Sequence, residues 1–269
     1  MLAPRELPPN YASWNRRWGA PLGNPGFRWP LRGTRYDVRR RGPFAWQANN
    51  STREFEYPWA YEQIERRPPR QTVVDIGGSL GGMQFVLSAQ GHTVITVDPG
   101  LKAGGIGWEV DIETHRRLCK WLGVEVSIIS ESLVNANLPV KFADVILSIS
   151  SLEHFSERDL ESTRRTIPQI LKDDGVIVLT VDCFLDLEPF TDAKSNKWGQ
   201  NISVFEFLEC ANLQLLSGER SELLGFPEFS CEQILRNLAR YHVGKQYPCL
   251  AQCLTAKKKL NSVNAKADK

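Results

Sequence analysis

The feature that most constrains the fold is a strand–turn–helix–strand unit that begins at residue 72. A short β-branched run, Thr72–Ile76, has the composition of a buried parallel strand. It leads directly into a glycine-rich turn, Gly77–Gly82, and then into a helical segment, Met83–Gln90. A second predicted strand, His92–Val97, ends at Asp98. A unit of this kind is typical of open α/β sheets that bind nucleotides.

The residues of this unit have the chemistry that a bound nucleotide requires. Glycines let the main chain approach a ligand closely, and the first turn of the helix offers unpaired N–H groups. The carboxylate of Asp98 can accept hydrogen bonds from the two vicinal hydroxyls of a ribose. A solvated turn acid is the alternative interpretation of Asp98. The unit therefore predicts a ligand that contains a nucleoside.

The spacing of the glycines distinguishes between classes of nucleotide. The dinucleotide motif Gly-x-Gly-x-x-Gly fails at one position, because Ser79 stands where the second glycine is required. As Asp-x-Gly-x-x-x-Gly, the residues Asp75, Gly77 and Gly81 resemble the first motif of class I S-adenosylmethionine-dependent methyltransferases. That family usually has a glycine at the position of Ser79. Serine is expected to fit there if its backbone angles are ordinary.

Later segments resemble further motifs of the same family, in the same order. A predicted third strand, Val124–Ile129, leads to Ser130–Leu133, where the family carries an acidic residue near the adenine. The segment Phe142–His154 resembles the fourth strand and its Leu-Glu-His ending. A helix at Ser156–Leu171 and a strand at Val176–Val181, with a turn between them, resemble the next two elements. The whole set spans much of the middle of the chain.

The resemblance implies an α/β fold with a Rossmann-like seven-stranded sheet. The sheet is expected to be mostly parallel with one antiparallel strand, in the order 3-2-1-4-5-7-6, with helices on both faces. Leu213–Ser217 and Pro248–Thr255 are the predicted sixth and seventh strands, and helices are predicted at Val204–Cys210 and Cys231–Tyr241.

Composition and loop length divide the chain into three parts. Residues 1–60 form an Arg/Trp-rich N-terminal lid or arm, residues 61–256 the S-adenosylmethionine-binding methyltransferase domain, and residues 257–269 a basic flexible tail. Segment 218–246 is longer than a turn between two strands requires, and we interpret it as a substrate-side insertion. Plain packing of that segment is the alternative.

The resemblance also implies the cofactor, S-adenosyl-L-methionine, and the residues that bind it. The turn and the strand ends contribute Asp75, Gly77, Gly78, Ser79, Gly81, Asp98, Pro99, Glu131, Ser132 and Ser150. The sequence Glu-Tyr-Pro-Trp that includes Tyr57 is similar to a segment before the first strand of bacterial small-molecule and glycan methyltransferases, so Arg53 and Tyr57 join the set. A guanidinium can grip a carboxylate with two hydrogen bonds. An aromatic plug on the sheet edge is the alternative for this segment.

Catalysis of methyl transfer depends mainly on in-line positioning, and a base assists when the acceptor is a hydroxyl. His154 is the candidate base, because it follows the fourth strand at the edge where ligands bind in open α/β sheets. Its alternative role is to hydrogen-bond the backbone at the start of a helix. Asp182, after the fifth strand, is a weaker candidate. The scattered Cys and His residues predict no metal site.

The front of the chain is strongly basic and aromatic. Its first 70 residues carry 13 Arg, no Lys and 6 acidic residues, together with five of the eight Trp. One group of these residues suits phosphate contacts and base stacking, or an anionic glycan or nucleotide-sugar, or an arm on a second subunit. It consists of Arg32, Arg35, Arg39, Arg40 and Arg41, interleaved with Trp29, Tyr36 and Trp46. Because a solvated RNA-binding tail has little reason to carry so many tryptophans, a packed lid or a homodimer arm is favoured over nucleic-acid binding.

These features predict a methyltransferase that acts on a small molecule or glycan, most simply at oxygen. The segment Ser150–Glu153 stands where many amino-group methylating enzymes of nucleic acids carry Asn-Pro-Pro-Tyr, so an RNA or protein acceptor is the second hypothesis. A fold member that binds without catalysis is the third, and it rests on Ser79. No apolar run is long enough to span a membrane and no secretory signal is present, which predicts a cytoplasmic protein.

Overall fold

The computed structural model describes residues 1–24, 34–107 and 109–259, and a twisted β-sheet lies at its centre. The strands in chain order are β1 (Thr72–Ile76), β2 (Thr93–Val97), β3 (Val126–Ile129), β4 (Ala143–Ile149), β5 (Leu171–Phe184), β6 (Ser195–Asn196), β7 (Gly199–Gln200), β8 (Leu213–Ser217) and β9 (Cys249–Lys258). The α-helices are α1 (Pro9–Trp18), α2 (Arg35–Arg41), α3 (Arg53–Glu65), α4 (Gly82–Ala89), α5 (Ile112–Leu122), α6 (Glu157–Ile170), α7 (Val204–Cys210) and α8 (Cys231–Arg236).

The main sheet has seven strands in the order β3-β2-β1-β4-β5-β9-β8. Strands β1 to β5 pair in parallel, whereas β9 runs antiparallel to both of its neighbours, β5 and β8. Strands β8 and β9 thus take the places of the predicted sixth and seventh strands. The predicted fold class and strand order are confirmed. The short pair β6–β7 forms a separate hairpin that the sequence patterns did not predict.

Helices cover both faces of this sheet, because neighbouring residues of each central strand point to opposite sides. In β1, Val74 belongs to the apolar cluster under α6 and α7, whereas Val73 belongs to the cluster under α1, α3 and α4. In β4, Ile146 and Leu147 divide in the same way. The two clusters together make the core, and the nucleotide-binding edge is left free at the carboxyl ends of the strands.

Helix α3 includes the Glu-Tyr-Pro-Trp segment that the sequence analysis singled out. The residues before Ala60 are helical from Arg53, with Pro58 inside the helix. A proline lacks the N–H that would bond the carbonyl four residues earlier. Here the side-chain amide of Asn15 donates to that carbonyl, on Glu54, at 2.8 Å. The partner comes from another helix, so local sequence does not reveal that the helix is continuous. Helix α3 also crosses the predicted boundary between residues 60 and 61.

Three other predicted boundaries differ. The turn expected before the fifth strand lies inside β5, because Ala143 pairs with Leu171 and Val145 with Val176, and the irregular register absorbs the residues between. The helix expected at Cys231–Tyr241 divides into α8 and a 3₁₀ turn. Strand β9 continues through Lys258, so ordered structure extends past the predicted start of the tail at residue 257.

The front segment packs on the rest of the molecule. Helix α1 lies on α3, where the ring of Trp14 is 5.4 Å from that of Tyr61 and the ring of Tyr11 is 5.3 Å from that of Phe55. Leu2 pairs in antiparallel fashion with Gln252 of β9. The tryptophans of α1 and α3 therefore contribute to packing between the front segment and the sheet domain.

Segment 218–246 contains α8 and packs mainly at the sheet edge. Its Leu223 and Phe226 join the core beside α7, and Ile234 packs with Leu2. Among the described residues, no helix has both the length and the apolar character needed to cross a membrane. Arg32, Trp29 and residues 260–269 of the predicted tail lie outside the described residues.

Candidate functional site

A cavity of about 360 Å³ lies at the carboxyl ends of β1, β2 and β4. This is the edge at which open α/β sheets bind ligands, and the volume is in the range of small-molecule sites. The glycine-rich turn, the end of β4 and the hairpin β6–β7 all contribute to its wall. The predicted residues that line it are Arg53, Tyr57, Asp75, Gly77, Gly78, Ser79, Gly81, Asp98, Pro99, Ser132, Ser150 and His154.

The glycine-rich turn is held in a conformation that brings main chain against the cavity. A Cβ added to Gly78 would lie 2.2 Å from Oδ2 of Asp75, so only glycine fits there. Ser79 has φ +40°, which contradicts the expectation of ordinary backbone angles at this position. Its N–H donates to Oδ2 of Asp98 at 3.0 Å, and its carbonyl accepts from the side chain of Gln84 at 2.9 Å. These bonds maintain the unusual conformation without a glycine.

Asp98 connects this turn to the end of β2. Besides Ser79, the N–H of Gly100 donates to the Asp98 carboxylate, at 2.8 Å from Oδ1. Burial raises the pKa of Asp98, although the two N–H groups act in the opposite direction. Asp98 lines the cavity, and the N–H groups of Ser79 and Gly100 fix the orientation of its carboxylate. A solvated turn acid, the alternative interpretation, does not describe this environment.

Asp75, at the end of β1, is the second carboxylate of the cavity. It is 4% exposed, and burial together with the charge of Asp98 raises its pKa to about 7. A buried carboxylate without a cation beside it is costly in its charged form. Asp75 therefore carries a proton over much of the acidic range.

The adenine side of the predicted site is only partly as expected. Ser132 lines the cavity, and Leu133 next to it and Pro99 add apolar surface to the wall. Glu131 does not line it. Its carboxylate instead pairs with Lys102, with Nζ 2.8 Å from Oε1, on the outside of the turn.

A buried group of charges lies behind the other end of the cavity. Arg53 is 6% exposed and bonds Oε1 of Glu56 at 2.5 Å and both oxygens of Asp182 at 3.2 and 3.3 Å. Burial alone would raise the pKa of Asp182, but the adjacent guanidinium outweighs it and holds that pKa below its usual range. The guanidinium that the sequence assigned to a cofactor carboxylate is thus already engaged by two carboxylates of the protein.

The same cluster of charges fixes Ser150 at the end of β4. Ser150 has φ +42°, and its hydroxyl donates to Oε2 of Glu56 at 2.6 Å. Thr180 donates to the same oxygen. Glu56 was missed by the sequence reasoning, because only the three-dimensional fold brings α3 against the ends of β4 and β5.

Asp182 does not reach the cavity. It is fully buried, and the hydroxyl of Tyr247 donates to its Oδ2 at 2.8 Å while Arg53 contacts both oxygens. It is absent from the described residues that line the cavity wall. A base must come within hydrogen-bond reach of the proton that it removes. The position of Asp182 therefore gives it a role in holding Arg53 and Tyr247, and the prediction of Asp182 as a base has no geometric support.

His154 lies on the cavity wall, in the 3₁₀ turn that follows β4. Its Nδ1 hydrogen-bonds the main-chain carbonyl of Trp198. A carbonyl only accepts, so the proton of the neutral ring is on Nδ1 and Nε2 is the basic nitrogen. Burial lowers the pKa of His154, which keeps the imidazole neutral near pH 7.

Aromatic residues that the sequence reasoning did not identify form the wall beside His154. The rings of Trp198 and Tyr247 lie 4.9 Å apart, and both line the cavity. Tyr57, which the sequence analysis did assign to the site, also lines the cavity from α3, and its hydroxyl donates to Oδ1 of Asn49 at 2.8 Å. Trp198 and Tyr247 come from loops with no family signature, so only the fold reveals them.

The cavity suits S-adenosylmethionine. Asp98 offers acceptor oxygens for ribose hydroxyls, the turn at Gly78 offers close main-chain approach, and Pro99 and Leu133 offer apolar surfaces for a base. In the part of the chain that the structure describes, no group of three His, Cys, Asp or Glu side chains could hold a metal ion.

Comparison with known proteins agrees with this description. A family model described as a methyltransferase domain matches residues 47–219. No curated protein matches the chain in sequence. The fold is similar to that of the [4+2]-cyclase SpnF, with a TM-score of 0.55 and 16% identity over 80% of this chain and 86% of that one.

Two further solved structures have the same fold. One is a 1,6-didemethyltoxoflavin-N1-methyltransferase from Burkholderia thailandensis with bound S-adenosylhomocysteine, at a TM-score of 0.50 and 15% identity over 76% of this chain and 77% of that one. The other is the PH0226 protein of Pyrococcus horikoshii, at a TM-score of 0.50 and 16% identity over 76% and 88%. The match to the family model covers more than half of the chain. The protein therefore belongs to the methyltransferase-domain family and is an S-adenosylmethionine-dependent methyltransferase.

Proposed function

We propose that this methyltransferase transfers a methyl group to a hydroxyl oxygen of a small molecule or sugar, with His154 as the base. The observation that carries the proposal is the hydrogen bond from Nδ1 of His154 to the carbonyl of Trp198. It orients a neutral imidazole on the cavity wall with Nε2 as the nitrogen that can accept a proton.

The assignment of the cofactor-binding residues is part of the proposal. Bound S-adenosylmethionine supplies a methyl group on a sulfonium, which is transferred in line to the acceptor. Asp98 would accept hydrogen bonds from the ribose, and the turn that includes Gly77 and Ser79 would approach the cofactor closely. Pro99 and Ser132 would contact the adenine. Tyr57 and Ser150 would border the methionine end, with Arg53 acting from behind through Glu56 and Asp182.

The condition of His154 suits removal of a hydroxyl proton. Burial lowers the pKa of His154, so Nε2 is unprotonated near pH 7 and can accept the hydroxyl proton. As an oxygen forms its bond to the methyl carbon, its proton becomes acidic and passes to Nε2. The carbonyl of Trp198 stabilises the imidazolium that results, because it faces the N–H on the opposite nitrogen.

A small acceptor is also consistent with proteins of the same fold. The Burkholderia enzyme is described with bound 1,6-didemethyltoxoflavin, and SpnF as a [4+2]-cyclase. The first of these methylates a nitrogen, N1, as its name states. Methylation of nitrogen is therefore an explicit alternative outcome of the test below.

The experiment uses S-adenosylmethionine with a labelled methyl group and a panel of phenols, sugars and amines, and the labelled atom is identified by NMR. We expect label on oxygen. The variant His154→Gln should lower kcat by about 100-fold or more, as loss of a general base does. It should leave the affinity for S-adenosylhomocysteine within about threefold of the wild type. The proposed cofactor-binding residues are Asp98, the glycine-rich turn and their neighbours, and they do not include His154.

His92→Gln is the matched control. His92 is also buried, but it precedes β2 at the opposite edge of the sheet, where Nδ1 accepts from the N–H of Gln71 at 3.1 Å. Its turnover should stay close to that of the wild type. Label on nitrogen or carbon, or full turnover by His154→Gln, would show that the proposal is wrong.

A further inference from the structure

The hairpin β6–β7 has a well-defined turn that presents Trp198. Oδ1 of Asn196 accepts hydrogen bonds from the N–H of Trp198 at 2.8 Å and of Gly199 at 3.2 Å. Its Nδ2 donates to both carboxylate oxygens of Asp186, at 3.1 and 3.2 Å. The turn is therefore fixed by side-chain bonds within the segment, and Trp198 has a defined position.

This hairpin lies directly against the turn that carries His154. Gly199 has φ +144°, and a Cβ at that residue would lie 2.2 Å from the carbonyl oxygen of Glu153. The absence of a side chain lets the two main chains touch. The carbonyl of Trp198 then reaches Nδ1 of His154. One residue, Trp198, thus orients the imidazole with its main chain and lines the cavity with its side chain.

Tyr247 completes a rigid aromatic wall. Its ring lies 4.9 Å from that of Trp198 with an interplanar angle of 34°, and 5.6 Å from that of Phe184. Its hydroxyl donates to the buried carboxylate of Asp182 at 2.8 Å, which holds the ring in this orientation. Aromatic rings on the cavity wall favour ligands that have a ring face of their own.

Charge in the cavity disfavours an anionic acceptor. Arg53 is the one Lys or Arg among the described residues that line the cavity, and Glu56 and Asp182 already engage it. Lys197 lies on the hairpin with Nζ 4.9 Å from the centre of the Trp198 ring, and it does not line the cavity. Within the described lining, an acceptor carboxylate or phosphate would lose water without gaining an unengaged cation.

We infer that the hairpin β6–β7 is the acceptor-recognition element and that the acceptor is a molecule without negative charge whose ring packs on Trp198 and Tyr247. The inference rests on the proposed function, because it places the acceptor beside His154. It narrows the acceptor class from any small molecule or glycan to ring compounds that bear a hydroxyl and carry no negative charge.

The test measures binding by calorimetry to the full chain loaded with S-adenosylhomocysteine. Three probes separate the contributions: naphthol has a neutral ring, hydroxynaphthoate the same ring with a negative charge, and decanol the same number of carbons without a ring. We expect naphthol to bind at least about tenfold more tightly than either of the other probes. A difference of about tenfold in affinity corresponds to the energy of one aromatic contact together with the apolar area that it buries.

Two variants at position 198 then isolate the ring. Trp198→Ala should weaken naphthol binding about tenfold, and Trp198→Phe should lose no more than about threefold, because it retains a ring. Both keep the main-chain carbonyl that contacts His154. Phe205→Ala, on α7 and 38% exposed, is the aromatic control and should bind naphthol like the wild type. Unchanged affinity of Trp198→Ala for S-adenosylhomocysteine shows that the variant is folded.

Several results would overturn the inference. They are failure of naphthol to bind, decanol or hydroxynaphthoate binding as tightly as naphthol, and undiminished naphthol binding by Trp198→Ala. The comparison of the three probes on the wild type needs no variant. Methylation at nitrogen would reject the proposed function and leave these binding results unaffected, so the two failures are distinguishable.

Discussion

Arg53 and Asp182 form a bidentate ion pair that joins helix α3 to strand β5 behind the cavity, with N–O distances of 3.2 and 3.3 Å. Both side chains are buried. Arg53 also donates to Glu56, and the hydroxyl of Tyr247 donates to Asp182. A buried pair gains little over apolar residues of the same size, but removal of one partner leaves a bare charge in the interior. The pair therefore makes the cavity wall sensitive to single substitutions.

Replacement of Arg53 by Met should lower the free energy of unfolding by about 3–5 kcal/mol, because Asp182 and Glu56 lose their shared cation. Arg66→Met, at the C-cap of the same helix, is the matched control. Arg66 pairs with Glu62 at 2.9 Å on the surface, and its loss should cost less than about 1 kcal/mol. Urea denaturation measures both, and equal costs would show that the buried pair has no special weight.

Asp75 predicts an unusual dependence of stability on pH. Its pKa is raised to about 7 from 3.8, so between those values the folded state holds a proton that the unfolded state has released. Stability therefore falls as the pH rises through this window. Asp75→Asn removes the effect and should gain stability over the wild type by an amount on the order of 4 kcal/mol between pH 4 and pH 8.

The measurement for Asp75 is denaturation of the ligand-free protein across that pH range. Asp192→Asn, in an exposed loop, is the control, and its stability should run parallel to that of the wild type. A constant difference between Asp75→Asn and the wild type would contradict the raised pKa.

Asp98→Ala should weaken binding of S-adenosylhomocysteine about tenfold or more, since a hydrogen-bonded carboxylate contact contributes about 1.5–3 kcal/mol. The substitution also releases the N–H of Ser79 from its partner. Calorimetry gives the affinity, and Asp111→Ala, at the N-cap of α5, is a control outside the cavity. Equal affinities of Asp98→Ala and the wild type would contradict the proposed contact between Asp98 and the cofactor.

The lowered pKa of His154 predicts the position of the acidic limb in the pH–rate profile. A base works only when deprotonated, so kcat/KM for the acceptor should fall as the pH drops through the pKa of the imidazole. Because burial lowers that pKa below the ordinary value of 6.5, the limb should have its midpoint below 6.5. Steady-state rates from pH 5 to pH 8 test this, and a midpoint above 6.5 would argue for another base.

Gly199→Ala should lower turnover more than cofactor affinity. The added methyl group would collide with the carbonyl of Glu153 and displace the carbonyl of Trp198 from His154. Gly91→Ala is the matched control: Gly91 also has positive φ, +90°, but has no atom within 4 Å of the added carbon. It should cost only the backbone strain, about 1–2 kcal/mol, and retain activity. Loss of activity in both variants alike would show that strain, not the hairpin contact, is responsible.

The sequence predicts the sheet well because its signals are local. The strand and turn at Thr72–Gly82 and the ending at His154 carry their motif within a few residues, and their order determines the topology. The predictions fail where partners come from distant segments. Asn15 makes α3 continuous at Pro58, and Glu56 and Asp182 meet Arg53 only when α3 lies across the strand ends. Trp198 lies in a segment without a recognisable motif, so the sequence does not predict its position beside His154.

Helix α3 has one side under the rings of α1 and the other on the cavity, where Arg53 and Tyr57 line the wall. The wall of the cofactor site and the core of the front segment are therefore parts of one cooperative unit. Any ligand that binds only the folded state stabilises that unit by mass action, by about 2.7 kcal/mol at a free concentration one hundred times its Kd. Bound S-adenosylmethionine should thus increase the resistance of the front segment, as well as of the sheet, to unfolding.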